Sequence, residues 1–140
     1  MNKFLRLTIT VFLGVFLFYG LASAQNVMKI VVNGTAKDVL FVIPHGDKKL
    51  LRASPGSRGK VVEEIFDQHL LVESVPVQSK NDKSLWYRVL FVEYGANSHF
   101  YAAKTKPYIN ARDVREETEA FWINWCKEEI EDGFPGHQRD

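Results

Sequence analysis

Cys126 is the chain's lone thiol and the strongest nucleophile its residue types offer. A thiol enzyme needs a base beside the sulfur. His45, His69, His99 and His137 are spread along the chain, and none falls in the run that carries Cys126. That cysteine stands between Trp125 and Lys127, on what reads as an apolar face, which favours a buried small hydrophobe. An interchain disulfide or a free thiol stays open for a single leftover cysteine. Metal binding needs several convergent ligands, and no two histidines lie at ligand spacing. Asp47, Asp67 and Asp82 are isolated turn acids. Two carboxylates can always meet in space to hydrolyse a bond, but no spacing here selects a pair. The expectation is therefore no catalytic residue, no metal, no cofactor and no enzyme activity.

Aromatic and basic residues are the remaining chemical resource. Trp86, Tyr87, Phe91, Tyr94, Phe100, Tyr101 and Tyr108 gather in the last β-like runs. Strand alternation puts Tyr87, Val89 and Phe91 on one face and Trp86, Arg88 and Leu90 on the other. One set must fill a core, and the other is free to line a groove for a peptide. The stretch Leu51-Arg52-Ala53-Ser54-Pro55-Gly56-Ser57 adds a basic loop. It lacks the repeated glycines and the Lys-Ser/Thr pair of a phosphate-cradling loop, and a strand follows it instead of a helix. Pro55 and Gly56 favour a sharp turn, which Arg52 is placed to brace through loop carbonyls unless it stays in solvent.

These residues must be positioned by the elements around them. From Met28 to Asn110, short apolar runs alternate with polar turn clusters about ten residues apart, the pattern of a small barrel or sandwich. Asn33-Gly34 is a tight-turn dipeptide between two runs, so an extra hairpin opens the domain. From Asp113 to Gly133 no turn residue intervenes. Asp113 and Glu116 resemble a capping box, Gly133 suits a helix end, and Pro135 stops continuation. The spacing predicts one amphipathic helix over 113–133, packed on the β domain through Phe121, Trp122 and Trp125, with Val114, Thr118 and Cys126 on the same side. Glu129 interrupts that stripe, and Glu116, Glu117, Lys127, Glu128 and Glu131 take the polar side. Residues 134–140 read as a flexible tail.

The N-terminus reads differently. Lys3 and Arg6 precede an apolar run from Leu7 to Leu21, and Ala22-Ser23-Ala24 offers a cleavage site before Gln25. The run is shorter than the roughly 20 residues of a spanning helix, so a cleaved signal peptide over 1–24 is expected over an uncleaved anchor. Removal leaves 116 residues, enough for one domain with its own core. Residues 25–112 carry a net charge of +5 and residues 113–140 a net of −6, so the two parts are complementary. A charge of +5 dispersed over many strands is no nucleic-acid footprint. The expected product is an exported monomer, periplasmic or secreted, with no stable membrane insertion after cleavage.

The order of motifs carries a resemblance. Leu51-Arg52-Ala53-Ser54-Pro55, then Lys60-Val61-Val62, then Trp86-Tyr87-Arg88-Val89, then Pro107-Tyr108-Ile109 resembles the bacterial Src-homology-3-like domain of cell-envelope proteins. The match runs from Val39 to Val114. It departs where Phe100-Tyr101-Ala102 replaces a common Gly-Trp-Val, and where the segment from Val77 to Leu85 is long and charged. The resemblance implies a mainly β fold: a Src-homology-3-like β-barrel over 25–112, carrying the extra N-terminal hairpin and one C-terminal amphipathic helix. It also implies a non-enzymatic binding module of the cell envelope, for peptidoglycan stem peptide or a protein partner. Trp86, Tyr101 and Tyr108 are then the expected contacts, with Arg52 or Arg88 for a carboxylate. The competing expectation is an accessory subunit that docks on an envelope complex through its C-terminal helix.

Overall fold

A computed structural model of the chain describes residues 26–94 and 98–134. The expected signal peptide, Gln25 and residues 135–140 of the expected tail, with His137, lie outside the described residues. The described chain is mainly β, with ten strands, a short 3-10 turn and one α-helix.

The first hairpin joins β1 (Val27–Val32) to β2 (Thr35–Pro44). Val32 lies opposite Thr35, and the two turn residues Asn33 and Gly34 have φ of 50° and 77°. Both central residues of a type I′ turn need positive φ, which is why Asn-Gly forms it readily. β3 (Lys49–Arg52) and β4 (Val61–Ile65) form the second hairpin. β5 (Leu70–Glu73) breaks at Ser74–Pro76, and the chain resumes as the two-residue β6 (Val77–Gln78). The long β7 (Leu85–Tyr94) is the centre of the sheet. It pairs with β5 and β6, and also with β8 (His99–Ala102) and β9 (Tyr108–Asn110). The sheet is open, running β1-β2-β5-β7-β9-β3-β4.

The sheet buries apolar residues on both faces. One cluster holds Leu40, Val42, Leu51, Ile65, Leu70, Val72, Val89, Val92 and Ile109. The other holds Ile30, Val39, Phe41, Leu71, Leu90, Phe91, Phe100, Cys126 and Phe134. Simple alternation along β7 fails between these two sets. Leu71 pairs with Phe91 but Val72 pairs with Val89, so Leu90 is an extra residue, a bulge. A bulge reverses the facing of everything beyond it. Phe91 therefore joins Leu90 under the helix and leaves the face of Tyr87 and Val89.

The C-terminal segment corrects the expected helix. Residues Ala111–Asp113 form the 3-10 turn, and Val114–Glu116 form β10, paired with the end of β2. Helix α1 spans only Ala120–Glu131. The unpaired edge of β2 offers hydrogen bonds to Val114–Glu116, and such tertiary pairing overrides modest helix propensity. α1 packs on the second cluster through Cys126, Trp122, Ile123, Trp125 and Ile130. Burial of the two tryptophans and Ile130 contributes on the order of 5 kcal/mol. Phe121 was expected in that contact, yet it is 72% exposed. The buried stripe is rotated away from it, and Glu129 lies inside the stripe instead of breaking it. Residue 134 was expected in the flexible tail. Phe134 is buried, with its ring stacked 4.3 Å from that of Phe91.

Candidate functional site

Cross-strand pairing brings three of the five expected contact residues together. Arg52 of β3 lies opposite Tyr108 of β9, and Tyr108 lies opposite Arg88 of β7. Directly paired residues project to the same face with Cβ atoms about 5 Å apart, so the three side chains form one row, cation–aromatic–cation. The Arg88 guanidinium carbon sits 5.9 Å from the Tyr108 ring centroid, within cation–π range. Arg88 Nε is buried and has no hydrogen-bond partner among the described residues. Neither arginine is ion-paired with a carboxylate among the described residues. Burial closes that Nε to an incoming group, so a carboxylate approaching the row would meet the terminal Nη groups of the half-buried Arg88, a planar fork that fits its two oxygens.

Arg52 is held in place by the loop that follows it. Its Nη1 donates to the Gly59 carbonyl at 2.8 Å, while Ala53 N–H donates to the Lys60 carbonyl at 2.8 Å. Gly59 permits this closure, because a Cβ there would lie 2.5 Å from the Ser54 carbonyl oxygen. Arg52 thus braces the turn, one of the two roles its position allowed.

Trp86 occupies the same face two residues before Arg88, but it is only 3% exposed. Its indole N–H donates to Ser84 Oγ at 2.7 Å. Trp86 therefore packs the floor beside the row and is not a surface contact. Asp82 stabilises that corner, its carboxylate accepting from Ser84 through side chain and backbone. Those two bonds from Ser84 hold Asp82 down at about 2.

Tyr101 is elsewhere. Its ring lies 6.1 Å from that of Tyr94, and both line an open groove of about 590 Å³ with Val62, Glu63, Lys104 and Pro107. Partial burial raises the Glu63 pKa, against the pull of Lys104.

Sequence reasoning missed the most buried polar cluster. His69 Nδ1 is 2.8 Å from Glu93 Oε2, and its Nε2 is 2.9 Å from Glu117 Oε2. Glu117 had been expected on the polar side of a helix; it is buried. Residues 24 and 48 positions apart in sequence leave no local spacing that would reveal the cluster. His99 and Glu129 form a second long-range pair, at 2.9 Å. Cys126 is buried, and burial first, then the charge of Glu129, pushes its thiol up to about 12. That is a thiol kept protonated at neutral pH. Among the described residues no cluster of three metal-ligating side chains occurs, and no helix is long and apolar enough to cross a membrane. No family model matches the chain, and neither a curated protein nor a solved structure matches it.

Proposed function

We propose that this chain is an exported, non-enzymatic binding module of the cell envelope that captures a carboxylate-bearing peptide, of the peptidoglycan stem-peptide kind, on the Arg52–Tyr108–Arg88 row. The carrying observation is the row itself: two arginines that among the described residues pair with no carboxylate, on either side of Tyr108, with the Arg88 guanidinium 5.9 Å from its ring centroid. Two cations flank an aromatic face there, and a peptide carboxylate pairs with the guanidinium Nη groups while its apolar part covers the ring. The Src-homology-3-like barrel is part of the same proposal. It is supported by strands from both ends of the pairing order, Leu51 and Ile65 at one end and Leu40 and Val42 towards the other, filling a single cluster. The buried, protonated Cys126 thiol supports the non-enzymatic reading.

The test is calorimetry of the mature protein against a stem peptide with a free terminal carboxylate and against its amidated form. A charge-assisted hydrogen bond contributes about 1.5–3 kcal/mol, so Arg88→Ala should weaken binding roughly 10- to 100-fold, and amidation should do the same. Equal binding of the two peptides, or unchanged binding by Arg88→Ala, contradicts the proposal.

A second reading has one observation of its own. Phe121 projects into solvent from α1, next to Trp122 at 5.1 Å between ring centroids, as an anchor for an envelope partner would. A stoichiometric protein recovered by wild type but not by Phe121→Ser would favour that accessory-subunit reading.

A further inference from the structure

We propose that His69 is a proton-operated latch that holds α1 on the sheet when protonated and loosens it when the proton leaves. Both ring nitrogens lie within hydrogen-bond distance of a carboxylate oxygen, Glu93 on one side and Glu117 on the other. Carboxylates only accept, so both contacts are satisfied together only by an imidazolium, which donates from Nδ1 and from Nε2. A neutral ring keeps one donor, and its other nitrogen then presents a lone pair to a buried carboxylate.

The two carboxylates belong to different parts of the fold. Glu93 is in β7, and the backbone there is tied to His69 again, since Glu93 N–H donates to the His69 carbonyl at 3.0 Å. Glu117 follows β10 and leads into α1. Its second oxygen accepts from the N–H groups of Thr118 and Glu119, at 3.0 and 2.9 Å. Those amides stand at the entrance of the helix, whose own cap residue Glu119 provides no side-chain bond. One carboxylate thus fixes the start of α1 and, through His69, fastens that start to the sheet.

The ring faces aromatic groups from its remaining sides. Phe41 of β2 stacks at 4.8 Å, and Trp122 and Trp125 of α1 lie at 4.6 and 6.2 Å. Their faces favour a cation over a neutral ring. Among the described residues the charged groups bonded to the ring are Glu93 and Glu117, and Arg115 adds its charge to Glu117 alone. Neither β2 nor α1 places a charged side chain in contact with the ring. On α1, Glu129 is engaged by His99.

The sign follows from these contacts. Burial by itself pulls His69 down, but hydrogen bonds and charge from Glu93 and Glu117 outweigh it, and the pKa is raised above the ordinary 6.5. The contribution to docking is complete below the ordinary histidine value and is lost as pH rises through the raised one. Glu117 is shifted the other way: burial raises it, but the Glu119 amide and His69 outweigh that and hold it below its ordinary 4.5. Its contribution is present above the ordinary value and is lost on acidification through the lowered one. The latch is therefore closed at mildly acidic pH and opens on the alkaline side.

The experiment is amide hydrogen exchange on the whole mature protein from about pH 6 to about pH 9, read as protection factors, with the His69 ring followed by NMR. Protection across Ala120–Glu131 should fall with the same midpoint as His69 deprotonation, by about tenfold for each unit of pKa elevation, while β7 amides stay protected. Glu93→Gln keeps the fold's shape and removes one stabilising charge, so it should move the midpoint to lower pH. His69→Gln, if it folds, should abolish the step. The latch is overturned if α1 protection is constant while His69 titrates, if the step follows His99, or if sheet and helix lose protection together.

Discussion

Replacing Glu129 with Ala removes the one helix carboxylate that, among the described residues, is ion-paired to the sheet. Its Oε1 lies 2.9 Å from His99 Nδ1, and its Oε2 accepts from the Phe100 N–H at 3.3 Å. Phe100 is fully buried, so its amide loses its side-chain acceptor in a place water does not reach. An orphaned buried donor costs about 1–3 kcal/mol. The His99 side chain is 30% exposed and rehydrates, so its share is discounted to about 1 kcal/mol. Alanine returns roughly 0.3–0.5 kcal/mol of helix propensity. The net destabilisation is about 1.5–3.5 kcal/mol, or roughly 10 °C in melting temperature for a domain of this size. Thermal and urea unfolding should be compared with Glu128→Ala, an exposed neighbour expected to stay within about 0.5 kcal/mol of wild type. If the two variants unfold alike, the tie between helix and sheet is wrong.

Thiol labelling of native protein should leave Cys126 unmodified over hours and proceed at once in denaturant, because only the thiolate reacts and burial keeps it protonated. Trp125→Ala should lower stability by about 3–5 kcal/mol, whereas Phe121→Ala should change it by less than about 0.5 kcal/mol, as unfolding curves would show. Intact mass of protein from the native envelope fraction should begin at Gln25; a mass that includes Met1 to Ala24 refutes export with cleavage.

Local signals announced most of the β architecture. Asn33-Gly34 identified its turn because both residues tolerate positive φ, and the runs at Val61–Ile65 and Leu85–Tyr94 are dense in β-branched and aromatic residues. Errors arose where a distant partner decides the outcome. Val114–Glu116 has nothing in its sequence to break a helix, and only the free edge of β2 makes it a strand. Glu129 looked like a defect in an apolar stripe because its partner His99 is thirty positions away. That reading also turned the helix towards Phe121. The bulge at Leu90 is likewise invisible locally, since it depends on the register with β5. At the site, Arg52, Arg88 and Tyr108 were singled out by residue type, while their alignment came from strand pairing. The His69 cluster left no trace because charge patterning counts net charge and not which two acids meet one ring. Of the expected charge complementarity, the described ion pairs show Lys49–Asp113 at 3.8 Å across the two parts; His69–Glu117 and His99–Glu129 also cross, but histidine was not in that count.

The most direct measurement is an NMR titration of the mature protein with a stem peptide bearing a free carboxylate, observing the arginine Nε–H resonances. The Arg88 Nε–H should shift as its guanidinium takes up the carboxylate, together with Arg52 and the Tyr108 ring, and the amidated peptide should leave all three in place. Shifts confined to Tyr94, Tyr101 and Lys104, with Arg88 Nε–H unmoved at saturation, would place recognition in the other groove and contradict the account.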